Sequence, residues 1–263
     1  MLMFAMSIAL CVMLFMTLRG GLVSNRGFTI QGLDAGAIGL GGIAFLAAWY
    51  FMGPMYGIAF VLSVMVHEYG HVVAFRIAGH DDARFRLIPL MGGVAISDKA
   101  PETQRHDFFI SLMGPGICIV PMVLSLLAYN MLWDTWRLAA EFFWHFAVVT
   151  GALNFFNLLP FWPLDGGRCV RIIADTFAPK ASLMLTLAMS AGLAATGVWL
   201  QSTALLVFAC LGAIPLFSIP PDADEARLTP LSKVQGLLAL AAYLATMAVH
   251  FMGGLILIKW FIS

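Results

Sequence analysis

Eight stretches of this chain are apolar and long enough to cross a lipid bilayer, or nearly so, and they limit the fold before any motif is read. They cover roughly 2–18, 36–52, 55–78, 107–130, 138–159, 181–200, 202–219 and 235–258. A hydrocarbon core about 30 Å thick takes about 20 apolar residues of helix, and in lipid each span must satisfy its own backbone. The expected fold is an all-α polytopic membrane protein of about seven to eight transmembrane helices. The composition leaves little room for a soluble alternative: 61% of the 263 residues are hydrophobic and 11% are charged, far from the usual balance. The first run reads as a retained transmembrane helix rather than a signal peptide. No basic residue precedes it, Arg19 is the first charge, and no clear small-residue cleavage site follows. Gln201-Ser202 separates the sixth and seventh runs so tightly that they must form a hairpin, and Pro220-Pro221 opens the clearest linker. The eighth run is the least regular, interrupted by Gly236, His250 and Gly253-Gly254.

Charge sets orientation and excludes one class of partner. The formal net charge is zero, so nothing points to nucleic acid. With the loop after the third run in the cytoplasm, only Arg137 and Lys259 of the 14 basic residues fall outside, as the positive-inside rule asks. Arg84, Arg86, Arg105 and Arg168 then read as anchors at lipid headgroups. Cys11, Cys118, Cys169 and Cys210 show no C-x-x-C spacing and read as small apolar residues.

The third run carries His67-Glu68-Tyr69-Gly70-His71. Histidines four apart share a helical face and can hold one zinc ion, with Glu68 placed to take a proton from water. Ionisable groups at membrane depth are costly and usually functional, so three of them in one apolar helix outweigh a chance match. A hydrolytic zinc site wants three protein ligands and one open position. Asp165, in the Pro- and Gly-punctuated break Asn157-Leu-Leu-Pro160-Phe-Trp-Pro163-Leu164-Asp165-Gly166-Gly167, lies on the cytoplasmic side by the topology above. Its carboxylate can complete the site and offset the cation's charge. The alternative is a helix cap ahead of Arg168 and Arg171.

H-E-x-x-H in one membrane helix, followed downstream by N-x-x-P-x-x-x-x-D-G-G, resembles the site-2 protease family of intramembrane zinc metalloproteases. The resemblance covers about residues 55–176. It implies His67, His71 and Asp165 as ligands of one zinc ion per chain, Glu68 as general base, and Asn157 as a group binding the substrate backbone or the developing oxyanion. Asn154 is the alternative for that last role, and Asn157 could instead bridge helices. Pro89-Leu-Met-Gly92-Gly93 resembles a short extended segment that dips into the membrane beside the site, where Gly92 and Gly93 would meet the substrate. A plain turn is the alternative there. Gly114-Pro115 resembles the family's Gly-Pro-x-x-Asn, with Cys118 where asparagine is common.

The division expected from this resemblance is 1–54 as N-terminal transmembrane helices, 55–176 as catalytic core and 177–263 as C-terminal transmembrane helices, a minimal member without PDZ or CBS domain. The function it implies is hydrolysis of transmembrane segments of membrane proteins within the lipid bilayer, with single-span proteins as the expected substrates, in regulated intramembrane proteolysis. The short chain and inward-facing site point to a prokaryotic cytoplasmic membrane. A catalytically silent relative that binds membrane proteins is the competing reading, and the retained Glu68 speaks against it. A transporter is disfavoured, because no inverted repeat is visible. Of the other histidines, His80 and His106 read as solvated loop residues, and His145 and His250 as packing or interfacial ones.

Overall fold

The structure is a computed structural model that describes residues 2–23, 30–31, 42, 46, 49–50, 52–88, 92–162, 164–201, 206, 209–210 and 228–262. Seven helices and three short strands are described: α1 (Leu2–Leu22), β1 (Ile30–Gln31), α2 (Pro54–Ile77), β2 (Arg84–Ile88), β3 (Gly92–Ile96), α3 (Gln104–Leu132), α4 (Arg137–Asn157), α5 (Asp165–Phe177), α6 (Pro179–Trp199) and α7 (Lys233–Ile262). Five of the helices, α2, α3, α4, α6 and α7, are long and apolar enough to cross a membrane. The chain is a multi-pass membrane protein. The expected runs at 36–52 and 202–219 fall largely outside the described residues, although Gln201 turns the chain after α6 with φ 51.

Residues 1–100, 113–156 and 246–263 form one compact unit, and 101–112 with 157–245 form a second. In the first unit, α2 shows how lipid inverts the usual pattern. Ala59, Ser63, His67, Gly70 and Ala74 are buried, while Ile58, Leu62 and Met65 are exposed. Each set recurs at helical spacing, so polar and small residues of one face pack on protein while Ile58, Leu62 and Met65 face outward. The helix starts where Gly53 takes φ 100 and Pro54 occupies the first helical position. Only glycine adopts that φ without strain, and proline there forfeits no intrahelical bond. The helix stops at Gly79, φ 94, with Gly79 N–H donating to Arg76 O and His80 N–H to Phe75 O, a Schellman ending.

Close approach of helices explains the other glycines that matter. A Cβ at Gly70 would overlap the Met113 carbonyl of α3, and one at Gly151 of α4 would overlap Gly253 and Gly254 of α7. Gly253-Gly254 is therefore a packing surface rather than a break, and α7 runs unbroken for 30 residues. Ala59, Phe146, Val149, Ala152, Leu257 and Ile258 fill the core between these helices. Tyr69 donates to Leu22 O and so ties α2 to the end of α1.

The expected extended segment is a hairpin. β2 and β3 pair antiparallel from Arg84↔Ile96 to Ile88↔Gly92, and β1 pairs with β2 in parallel. Gly92 and Gly93 open β3 rather than forming a turn, and Pro89 to Met91 lie outside the described residues. The hairpin lies against α2, and a polar clamp closes its base. Arg84 makes two bonds to Asp98, 2.8 and 2.6 Å. His80 Nδ1 meets Ser97 Oγ at 2.9 Å, and Asp82 accepts from the Asp98 backbone N–H. Two readings change here: His80 is buried rather than solvated, and Arg84 is committed to a carboxylate rather than to headgroups.

In the second unit, α5 is an amphipathic helix with Cys169, Ile172 and Ile173 buried and Arg168 pairing with Asp107 at 2.8 Å. Gly166 and Gly167 let its first turn sit directly on the preceding break. Side chains there would overlap the Leu158 and Leu159 carbonyls and the Phe161–Trp162 backbone. Tyr243 of α7 donates to Leu158 O at 2.6 Å.

Candidate metal centre

His67 and His71 occupy successive turns of α2, and their Nε2 atoms lie 3.2 Å apart. Their rings stand nearly perpendicular, at 83°. With zinc–nitrogen bonds of about 2.0–2.1 Å and tetrahedral angles, two imidazole ligands of one ion have nitrogens about 3.3 Å apart. The pair thus fits two vertices around a single cation.

The tautomer needed for that role is set from α4. His67 Nδ1 lies 2.8 Å from Asn154 Oδ1, and Asn154 Nδ2 donates to Thr150 O at 2.8 Å. Because the amide nitrogen is committed to a carbonyl, its oxygen faces the ring and accepts the Nδ1 proton. This leaves the Nε2 lone pair for a metal. Both partners are buried, His67 to 3% exposure and Asn154 to 0%. One turn earlier on both helices, Ser63 Oγ and Thr150 Oγ1 meet at 2.6 Å. His71 is placed by α3 instead: its ring lies over Gly114 so closely that a Cβ there would overlap Nε2. Gly114 of the Gly-Pro pair is therefore required by a histidine, and Cys118, one turn on, is fully buried.

The remaining expected site residues are placed as follows. Glu68 is half-buried on α2 beside His67. Gly92 and Gly93 begin β3. Asn157 and Asp165 belong to the second unit. Asn157 ends α4, half-buried. Asp165 is the first residue of α5, and the N-cap position is taken by Leu164, so Asp165 does not occupy the cap position that was its alternative. Asn154, the alternative to Asn157 in the sequence, bonds His67. Its signal in the sequence was the Thr150/Asn154 pair, four apart on an apolar helix as Ser63/His67 are. His145 packs edge-on against Tyr56, as expected of a packing residue.

Comparison with known proteins gives this geometry a context. The family model for peptidase family M50 matches residues 55–134 and 131–196. A zinc metalloprotease of Methanocaldococcus jannaschii, MJ0392, is 29% identical over 132 residues, 50% of this chain and 38% of that protein. Rip3 of Mycobacterium tuberculosis is 30% identical over 190 residues, 65% of this chain and 48% of its own length. The chain thus spans less than half the length of these relatives. Among solved structures, a site-2 protease from Methanocaldococcus jannaschii aligns with TM-score 0.47 and 21% identity, over 72% of this chain and 90% of that one.

Proposed function

The chain belongs to peptidase family M50, and from that premise we propose that it is a membrane-embedded zinc endopeptidase that cuts transmembrane segments of other membrane proteins. The observation that carries the reading is the convergence of His67 and His71 Nε2, 3.2 Å apart, with Asn154 fixing the tautomer. His67, His71 and Asp165 hold one zinc ion per chain. The carboxylate of Asp165 supplies the third ligand and part of the counter-charge that a low-dielectric site needs. Bound zinc supplies Lewis acidity, which polarises a carbonyl and makes water acidic near neutral pH. Glu68 accepts the proton from water and returns it to the leaving amine. Asn157 binds the substrate backbone or the developing oxyanion.

A helical substrate hides its peptide bonds in internal hydrogen bonds, so it must unwind before hydrolysis. The sheet order is β1-β2-β3, so β3, which begins at Gly92-Gly93, is an edge strand among the described residues. Strand addition there would hold an unwound segment extended. Single-span proteins are the simplest substrates on this reading. Membrane-tethered regulators or leftover signal peptides would make it a regulated proteolysis, with the site facing the cytoplasm. The test is cleavage of single-span substrates by the purified full chain in proteoliposomes, with products mapped by mass spectrometry. Cuts inside the span, made with zinc and lost in Glu68→Gln, support the reading. Intact substrates with the zinc-loaded wild type, or equal cleavage by Glu68→Gln, overturn it.

A further inference from the structure

We propose that His250 and Tyr243 of α7 are positioning residues for the hydrolytic site. The inference rests on the reading above, because the groups they act through are the zinc ligands assigned there. The two residues are seven apart, two turns, and so share a face of α7. Both are buried, His250 to 0% and Tyr243 to 4% exposure. A polar side chain in lipid-buried protein demands a partner and is retained for a reason, and here each spends its hydrogen on a main-chain carbonyl. His250 Nε2 donates to Pro115 O at 2.9 Å, while its Nδ1 meets no hydrogen-bond partner among the described residues. The proton must therefore be on Nε2. Tyr243 Oη donates to Leu158 O at 2.6 Å.

Both carbonyls belong to backbone on which the site leans. Pro115 follows Gly114, the residue over which the His71 ring lies in contact. Leu158 opens the break before α5, and its carbonyl abuts Gly166, the residue after Asp165. Donors are scarce in that break, since Pro160 and Pro163 have no N–H. Each donor thus pins a piece of main chain against which a ligand, or the residue beside a ligand, is packed. The His250 relation lies within the first unit and the Tyr243 relation within the second. An apolar residue at either position would fill the space but remove the bond that ties the carbonyl to α7.

The test compares wild type with His250→Leu, His250→Gln and Tyr243→Phe as full-length protein, using cobalt(II) as the metal probe. Its absorption spectrum reports ligand geometry, and cobalt affinity is measured apart from cleavage. For His250→Leu and Tyr243→Phe the expected result is a fall of about tenfold in kcat or cobalt affinity, with KM unchanged and the helical signal intact. His250→Leu should also shift the cobalt spectrum. His250→Gln keeps an N–H at similar reach and should return both quantities to within about threefold of wild type. Wild-type kcat together with wild-type cobalt affinity in His250→Leu and Tyr243→Phe would overturn the proposal. So would a loss in His250→Leu that glutamine does not restore, which would make volume rather than donation the cause. Failure of the wild type itself to bind cobalt would strike the zinc-peptidase reading, a different measurement from any that separates the variants.

Discussion

Replacing Asn154 by alanine isolates the contact that orients His67. The substitution removes the acceptor that Asn154 presents to Nδ1, at 2.8 Å, in a site where both residues are buried. A net hydrogen bond is worth about 1 kcal/mol, and a buried N–H left without an acceptor costs about 1–3 kcal/mol. Without metal, the freed ring can rotate to find another partner, and metal binding then has to return it. Most of that energy therefore appears as lost affinity. The size agrees with the usual effect of removing a ligand's orienting partner, about 10–100-fold, or about 1.4–2.8 kcal/mol. Zinc affinity is measured by competition with a chromogenic chelator in detergent solution. Asn154→Ala should bind zinc about 10–100-fold more weakly. Asn154→Asp keeps the acceptor and should stay within about threefold of wild type. If Asn154→Ala binds zinc within about twofold of wild type while remaining folded, the orienting role is wrong.

Three further outcomes follow from the same geometry. Glu68→Gln should retain zinc, measured by metal analysis, and lose about 10²–10⁴-fold in cleavage rate, the usual contribution of a general base. Gly114→Ala should displace the His71 ring, because the new methyl overlaps Nε2; zinc affinity should fall by at least about tenfold, and an unchanged value would show that α3 yields instead. At the hairpin base, the Asp98 backbone N–H holds the Asp82 carboxyl below its ordinary 3.8. A folded-state pKa that is depressed stabilises above the unfolded value, and that contribution is lost as pH falls through the folded one. Amide protection of residues 84–88 and 92–98, read by hydrogen exchange, should therefore hold down to about pH 3.8 and fall only below it. Asp82→Asn should lower protection at neutral pH and flatten this dependence.

What could be read from the chain alone was what its local chemistry forces. Lipid requires long apolar helices, so α2, α3, α4, α6 and α7 follow the hydropathy within a few residues. Four-residue spacing brings two histidines to one point whatever the rest of the fold does, and the 3.2 Å separation is the consequence. Contacts made across the chain were not readable. Arg84 and Asp98 are 14 residues apart and His80 and Ser97 are 17 apart, and nothing local says that a hairpin closes between them. Gly253-Gly254 looked like an interruption because glycine weakens an isolated helix. Its use against Gly151 becomes visible only when α4 lies alongside.

Finding the partner of His67 among the amides Asn154 and Asn157 shows where the boundary falls. Both are amides near the end of one apolar helix, and they are three residues apart, so neither is excluded by facing. What decides is the register of α4 against α2. Ser63 and His67 are four apart on one helix, Thr150 and Asn154 four apart on the other, and the rungs Ser63–Thr150 and His67–Asn154 pair in the same order. Matched order means that the two helices run in parallel, which is the direction that alternating spans two apart must share. Two apolar helices with polar residues at equal spacing, already constrained by topology to run the same way, can satisfy all four groups at once only in this register. Asn157 would leave the Thr150 hydroxyl one turn out of step. A polar ladder of this kind can be sought in any chain whose spans are known, by matching intervals between polar residues rather than by matching motifs.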